Sequence, residues 1–280
     1  MEAVQHAYLE TDAAFANACS LNNALSFGTT AITVLILARE IFVANAGDCR
    51  AVLCRRGKAI EMSRNHKPHV ERSRIEALGG YIYDGYLNGY LSVARAFENW
   101  HIEGLKGVNC PLIVEPEVRR EVLILDDEFM IIGCDGFWDV FTNESAVAFA
   151  RKRLQQHNDP EQCSHDLVDE ALRRCSSDNL TVVTVCFQKS PPPRLVPRKE
   201  VKEEIGRKHF ERGKSFAEGR DRRWRLALAI KGKKKHLGTH QRESWASRRG
   251  PWFWDLRTHT EEEGILLKSG ICGYPHVEDY

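Results

Sequence analysis

Several acids of this chain stand where apolar runs stop. The stretch Phe129-Met-Ile-Ile-Gly-Cys-Asp-Gly-Phe-Trp-Asp-Val140 ends in two carboxylates, Asp135 and Asp139. Its apolar part reads as a buried strand, with Asp126 and Asp127 as turn residues on the entry side. A further acid, Asp178 in Ser177-Asp-Asn-Leu180, stands just ahead of the β-branched run Thr181-Val-Val-Thr-Val-Cys-Phe187, which also has strand character. A carboxylate at the end of a buried strand is costly unless something compensates it. Two readings stay open on spacing alone. Asp135 caps the next helix, or Asp135 and Asp178 converge on one hard cation that takes oxygen ligands and keeps several waters. Asp48 lies in a Gly-Asp turn between strands, where Asp is ordinary turn chemistry.

At these residues the chain resembles the protein phosphatase 2C type of metal-dependent Ser/Thr phosphatases. Gly133-Cys-Asp-Gly-Phe-Trp-Asp139 and Asp178-Asn179 look like that family's late metal-binding motifs. Phe27-Gly-Thr-Thr30, Val43-Ala-Asn-Ala-Gly-Asp-Cys-Arg-Ala-Val52 and Asn65-His-Lys-Pro68 with Gly79-Gly80 agree in the expected order. The wording around Glu103-Gly104, Asp159-Pro160 and Cys163 is most similar to plant members. The resemblance implies that Asp135 and Asp178 ligate Mn²⁺ or Mg²⁺, with Asp48 and Asp139 at an auxiliary ion. It also implies a phosphorylated protein as partner, whose phosphoserine or phosphothreonine is hydrolysed by metal-activated water without a phospho-enzyme. The implied fold is α+β, an antiparallel β-sandwich flanked by helices.

Two departures qualify that expectation. Most relatives carry Gly-Asp where this chain has Glu98-Asn99, and Glu lacks the ready access of Gly to positive φ. The family's Asp-Gly-His-Gly-Gly motif, which carries the Asp that bridges two metals, is not in the sequence, nor are the upstream acid and Arg. The expected organisation is therefore residues 1–189 as a partial catalytic domain without its first strands, and 190–280 as a basic, disordered extension. The competing function is a catalytically inactive fragment or pseudophosphatase that acts by binding protein.

The elements that must position these acids follow from local pattern. Met1 to about Ser20 spaces Val4, Tyr8, Ala13 and Ala16 as an amphipathic helix. Residues 30–37, 41–44, 50–54 and 58–62 read as four strands of one antiparallel meander, entered by a turn at Ser26-Phe27. Val70 to Leu78 is helical and stops at Gly79-Gly80. Tyr81 to Tyr90, with Asp84-Gly85 and Asn88-Gly89, reads as hairpins. His66 reads as a structural histidine. Val118 to Leu125 is a strand, Asn143 caps a helix to about His157, and Asp159-Pro160 opens another to about Arg174.

Composition sets the outer bounds. The 280 residues are 42% hydrophobic with a formal net charge of +1, enough apolar content for a core. That balance conceals an acidic first part and a basic part beyond Ser190-Pro-Pro-Pro193, which reads as a stiff linker. No apolar run approaches the roughly 18 residues of a membrane span, and the nine cysteines contain no C-x-x-C pair. Cys134 and Cys186 read as small core residues. The expected location is intracellular, cytoplasmic or nuclear, with no membrane partner. The run Lys231-Gly-Lys-Lys-Lys-His236 and the aromatics Trp252, Phe253 and Trp254 read as a solvated tail in preference to a nucleic-acid module.

Overall fold

A computed structural model describes residues 1–21, 28–107, 109–195, 225–231, 254–258 and 265–270. The chain forms two compact units, one of residues 1–51, 61–124 and 232–280, the other of 52–60 and 125–231.

In the first unit, helix α1 (Glu2–Leu21) precedes the short strand β1 (Gly28–Thr29). Strands β2 (Ala31–Leu37) and β3 (Glu40–Ala46) pair antiparallel, Val34 opposite Val43. Strand β9 (Glu117–Val122) adds to β3. The Tyr8 hydroxyl fastens α1 to this sheet, donating to Thr33 Oγ1 at 2.9 Å or to the Ala44 carbonyl at 3.0 Å. Between β3 and β9 lie helix α2 (Arg72–Ala77) and a hairpin of β6 (Ile82–Tyr83) and β7 (Tyr86–Leu87). Asp84 and Gly85 at its turn both have positive φ, 50° and 84°, as a two-residue hairpin of the primed type requires. Strand β8 (Phe97–Glu98) pairs with β1.

Strands β4 (Arg50–Arg55) and β5 (Lys58–Glu61) correct the expected meander. They join a different five-stranded sheet, beside β10 (Asp127–Gly133) and β11 (Leu180–Cys186), in the order β12 (Arg225–Lys231)-β11-β10-β4-β5. The reason lies in the turn after β3. Asn45 is fully buried and its amide donates to the carbonyls of Gly47 and Arg64, at 3.1 and 2.8 Å, while Gly47 takes φ 130°. The chain leaves one sheet there instead of doubling back within it.

Every residue of β10 and β11 is buried. Two helices pack on them, α4 (Asn143–His157) and α5 (Pro160–Arg173). Ala146, Val147, Ala150 and Leu154 of α4 share a core with Leu167 and Ala171 of α5 and with Phe129, Ile131 and Val182. Thr142, not Asn143, caps α4: its hydroxyl accepts from Ser145 N–H at 3.1 Å and Ser145 reciprocates at 3.0 Å. Asp159 caps α5 as expected, accepting from Glu161 N–H at 2.8 Å. Asp127 is no turn residue. It opens β10 fully buried and takes Arg55 in a two-pronged pair at 2.6 and 3.2 Å.

Three strands beyond the linker are described. Strand β12 (Arg225–Lys231) runs along β11, and β13 (Trp254–Thr258) pairs with β14 (Ile265–Gly270), which runs along β2. The expected Ser26-Phe27 turn, and the tail calls at 232–236, Trp252 and Phe253, lie outside the described residues. No described helix is long and apolar enough to cross a membrane.

A buried ion pair joins Arg151 of α4 to Glu128 of β10, at 2.7 and 3.1 Å, with the Cys54 thiol donating to the same carboxylate at 3.2 Å. Removing one partner leaves a buried charge uncompensated. Arg151→Ala is expected to cost about 3–5 kcal/mol in urea unfolding, and Arg151→Met combined with Glu128→Leu distinctly less. Equal losses would show that packing, not charge, dominates there.

Candidate metal centre

Register is what brings the two acids together. Strands β10 and β11 are antiparallel with Phe129 opposite Cys186 and Gly133 opposite Val182. The exit of β10 therefore lies beside the entry of β11. Past the last ladder pair, Cys134 N–H donates to the Thr181 carbonyl at 3.3 Å. The Cys134 thiol donates to the Asn179 carbonyl at 3.3 Å and accepts from Thr181 N–H at 3.3 Å. Asp135 and Asp178 follow from these contacts as neighbours at one end of the sheet.

The chain then turns into a single helical turn, α3 (Asp135–Trp138). Gly133 permits the reversal, since a Cβ there would come within 2.9 Å of Phe137 and 3.1 Å of Trp138 Nε1. Trp138 Nε1 donates to the Gly133 carbonyl at 3.1 Å and locks the turn. Gly136 permits the contact across strands: a Cβ there would lie 2.4 Å from the Asn179 carbonyl oxygen and 3.0 Å from Asp178 Cβ. Ser176, buried, donates to the Gly136 carbonyl at 2.7 Å and ties the loop before β11 to α3.

The capping expectation for Asp135 is corrected: Cys134 is the N-cap of α3, without a side-chain cap bond, and Asp135 is the first residue inside the turn. The Asp135 Oδ1 accepts from Gly136 N–H at 2.9 Å. Asp135 is half-buried beside Asp178, which is exposed and, among the described residues, accepts from its own neighbour, Asn179 N–H, at 2.6 Å. No basic side chain pairs with Asp178 among the described residues. The field of the two acids reaches the thiol between them. Burial pushes Cys134 up to about 11, and the charges of Asp135 and Asp178 act in the same direction. Cys134 thus stays a neutral hydrogen-bonding bracket rather than a thiolate.

Hard oxygen donors with one open face suit Mg²⁺ or Mn²⁺, which are bound through one or two carboxylates plus waters and substrate phosphate. Among the described residues no group of three or more His, Cys, Asp and Glu side chains is placed to hold a metal ion. The site built here is a pair.

Asp139 follows α3 and is exposed, its N–H donating to the Asp135 carbonyl at 2.8 Å. Asp48 belongs to the other compact unit. It is buried there and accepts from Lys67 Nζ at 2.5 Å. His66, beside Lys67, is structural as expected: its Nδ1 accepts from Gly47 N–H at 3.1 Å, and burial lowers its basicity, followed by the nearby Arg95 charge. Sequence reasoning missed Lys67 as the partner of Asp48 and Ser176 as the tie to α3. Neither carries a local signal, because each acts on a residue brought near only by the fold.

The family model described as Protein phosphatase 2C matches residues 1–180. The chain belongs to the protein phosphatase 2C family. It is 57% identical over 220 residues to "Probable protein phosphatase 2C 57" of Oryza sativa subsp. japonica, covering 77% of this chain and 60% of that one. It is 55% identical over 221 residues to "Probable protein phosphatase 2C 22" of Arabidopsis thaliana, covering 76% and 56%. The chain thus spans well under two thirds of the length of these protein phosphatase 2C relatives. Among solved structures, serine-threonine phosphatase 2C from Toxoplasma gondii shares its fold at TM-score 0.56 and 24% identity, covering 67% of each chain. A C. elegans sex determining protein does so at TM-score 0.56 and 21% identity, covering 66% of this chain and 46% of that one. The plant-like family assignment and the α+β class with antiparallel sheets stand as the sequence led one to expect.

The tight seat of Gly136 gives a test of how the pair is held. Gly136→Ala forces α3 away from Asn179, with an expected loss of about 1–3 kcal/mol in thermal unfolding. Mn²⁺ affinity, read by calorimetric titration, should fall with it. Unchanged melting and affinity would show that the two segments need no such close approach.

Proposed function

We propose that this chain carries out the chemistry of a metal-dependent protein serine/threonine phosphatase, with Asp135 and Asp178 holding Mn²⁺ or Mg²⁺. The observation that carries the reading is the meeting of these two acids at adjacent strand ends, one of them exposed and without a basic partner among the described residues, inside the stretch that the family model matches. A bound divalent ion would supply charge compensation for a phosphoryl group and an activated water. The chain's own residues set the frame. Cys134 and Ser176 brace the two segments, and Gly136 lets them close. Asp178 is exposed, so an ion held there can be reached from solvent by a phosphorylated protein side chain. Asp139 on the second unit and Asp48 on the first are each proposed as a carboxylate that can take an auxiliary ion. At Asp48 such an ion would have to displace the Lys67 ammonium.

The test is Mn²⁺-dependent phosphate release from a phosphothreonine peptide by the full 280-residue chain, with Mn²⁺ binding followed in parallel by calorimetry. Asp135→Ala and Asp178→Asn are each expected to weaken Mn²⁺ binding roughly tenfold or more and to abolish turnover. Folded chain that binds Mn²⁺ through these acids but releases no phosphate would support the inactive, protein-binding reading instead. Mn²⁺ binding that neither substitution alters would overturn the metal assignment.

A further inference from the structure

The first compact unit holds a buried cluster of charge that the metal chemistry does not use. Asp12, in the middle of α1, is 4% exposed. Its Oδ1 accepts from the backbone N–H of Glu98 at 2.7 Å and from Lys106 Nζ at 2.6 Å. Lys106 is itself almost wholly buried. It also donates to the Ala96 carbonyl at 2.7 Å and lies 5.5 Å from the centre of the Trp100 ring. Glu98 is 2% exposed, and its Oε2 is buried with no hydrogen-bond partner among the described residues. Three ionisable side chains thus meet out of water, two acids and one base.

The charges cannot all be satisfied. Lys106 is committed to Asp12 by a direct bond, so a second carboxylate ionised beside them has no cation of its own. The charged groups that face Glu98 are Asp12 from α1 and Lys106 from the loop after β8. The strand paired with β8 contributes Gly28 and Thr29, which carry no charge. The backbone reports the same constraint. Glu98 and Asn99 both hold φ 61°, a left-handed conformation that non-glycine residues sustain only where surroundings over-determine it. Asp12 fixes the first of them through its N–H, and the Asn99 side chain fills the space against Gly28. The ring of Phe97, next in the chain, lies 5.0 Å from that of Tyr8 on α1.

We propose that Asp12, Glu98 and Lys106 form a proton-gated latch for α1: the helix is docked while Glu98 holds a proton and is loosened when Glu98 ionises. Burial pushes Glu98 up to about 7, with Lys106 opposing and Asp12 adding to the rise. An acid raised in the docked form binds a proton that the undocked form releases. Docking strength contributed by Glu98 is therefore complete below the ordinary glutamate range and is lost as pH rises through about 7. Helix α1 then answers to pH over the physiological range, and with it the segment β1–β8 that shares the latch.

Hydrogen exchange of the α1 amides, corrected for the intrinsic pH dependence of exchange, tests this on the full chain. Between pH 5.5 and 7.5 the protection of residues 2–21 should fall roughly tenfold or more, while β10 and β11 keep theirs. Glu98→Gln should hold α1 protected at both pH values. Glu98→Gly, which removes the carboxylate and accepts positive φ, should do the same even where the amide is poorly accommodated. Wild-type protection that does not change with pH overturns the latch. So does an equal loss across all elements, or pH dependence that persists in both variants.

Discussion

The site hangs on the pairing of two buried strands. Because β10 and β11 run antiparallel with Gly133 opposite Val182, whatever follows the first strand must lie beside whatever precedes the second. A shift of one residue would turn the fully buried faces of both strands over and would carry Asp135 away from Asp178. The core therefore decides the chemistry. Phe129, Ile131 and Val182, packed under α4 and α5, fix the register that brings two carboxylates to one sheet end. Glycines at 133 and 136 then let the backbone close over that end, where any side chain would hold it open.

Much of this was legible in the sequence because it is local. The apolar run into Cys134, the β-branched run after Asn179, the Asp159-Pro160 helix start and the Asp84-Gly85 hairpin each carry their signal within a few residues. Asp135 and Asp178 could be named from the same runs, and the family resemblance joined them. What failed was non-local. Strands β4 and β5 looked like a continuation of β2 and β3, since short turns normally keep strands adjacent, yet the buried amide of Asn45 directs the chain to another sheet. Asp127 looked like turn chemistry because its partner, Arg55, stands 72 positions earlier.

The pair Glu98-Asn99 shows how tertiary structure overrides a residue's preference. Sequence reasoning held that replacing Gly by Glu closes off positive φ. The chain keeps positive φ all the same, with an acid 86 positions away gripping the Glu98 N–H. The cost of that conformation is met by contacts, and those contacts bring a second carboxylate into a pocket with one ammonium. Strain and electrostatics at this place have one origin. The two acids at the strand ends differ in kind, since one of them faces solvent, where a cation can reach it.

The prolines after Gln188 do more than interrupt the chain. Arg151, already engaged with Glu128, also donates to the Pro193 carbonyl, and the Gln155 amide reaches the carbonyls of Pro192 and Pro193, each at 3.2 Å. The Asn158 amide takes the Lys189 carbonyl at 3.0 Å. The segment is thus stitched along one face of α4, and its first residues belong with the folded body. A protease acting on the intact protein would meet backbone held by side chains through Pro193. A shortened chain ending at Gln188 would strip Arg151 of an acceptor, whereas one ending after Leu195 would keep every stitch.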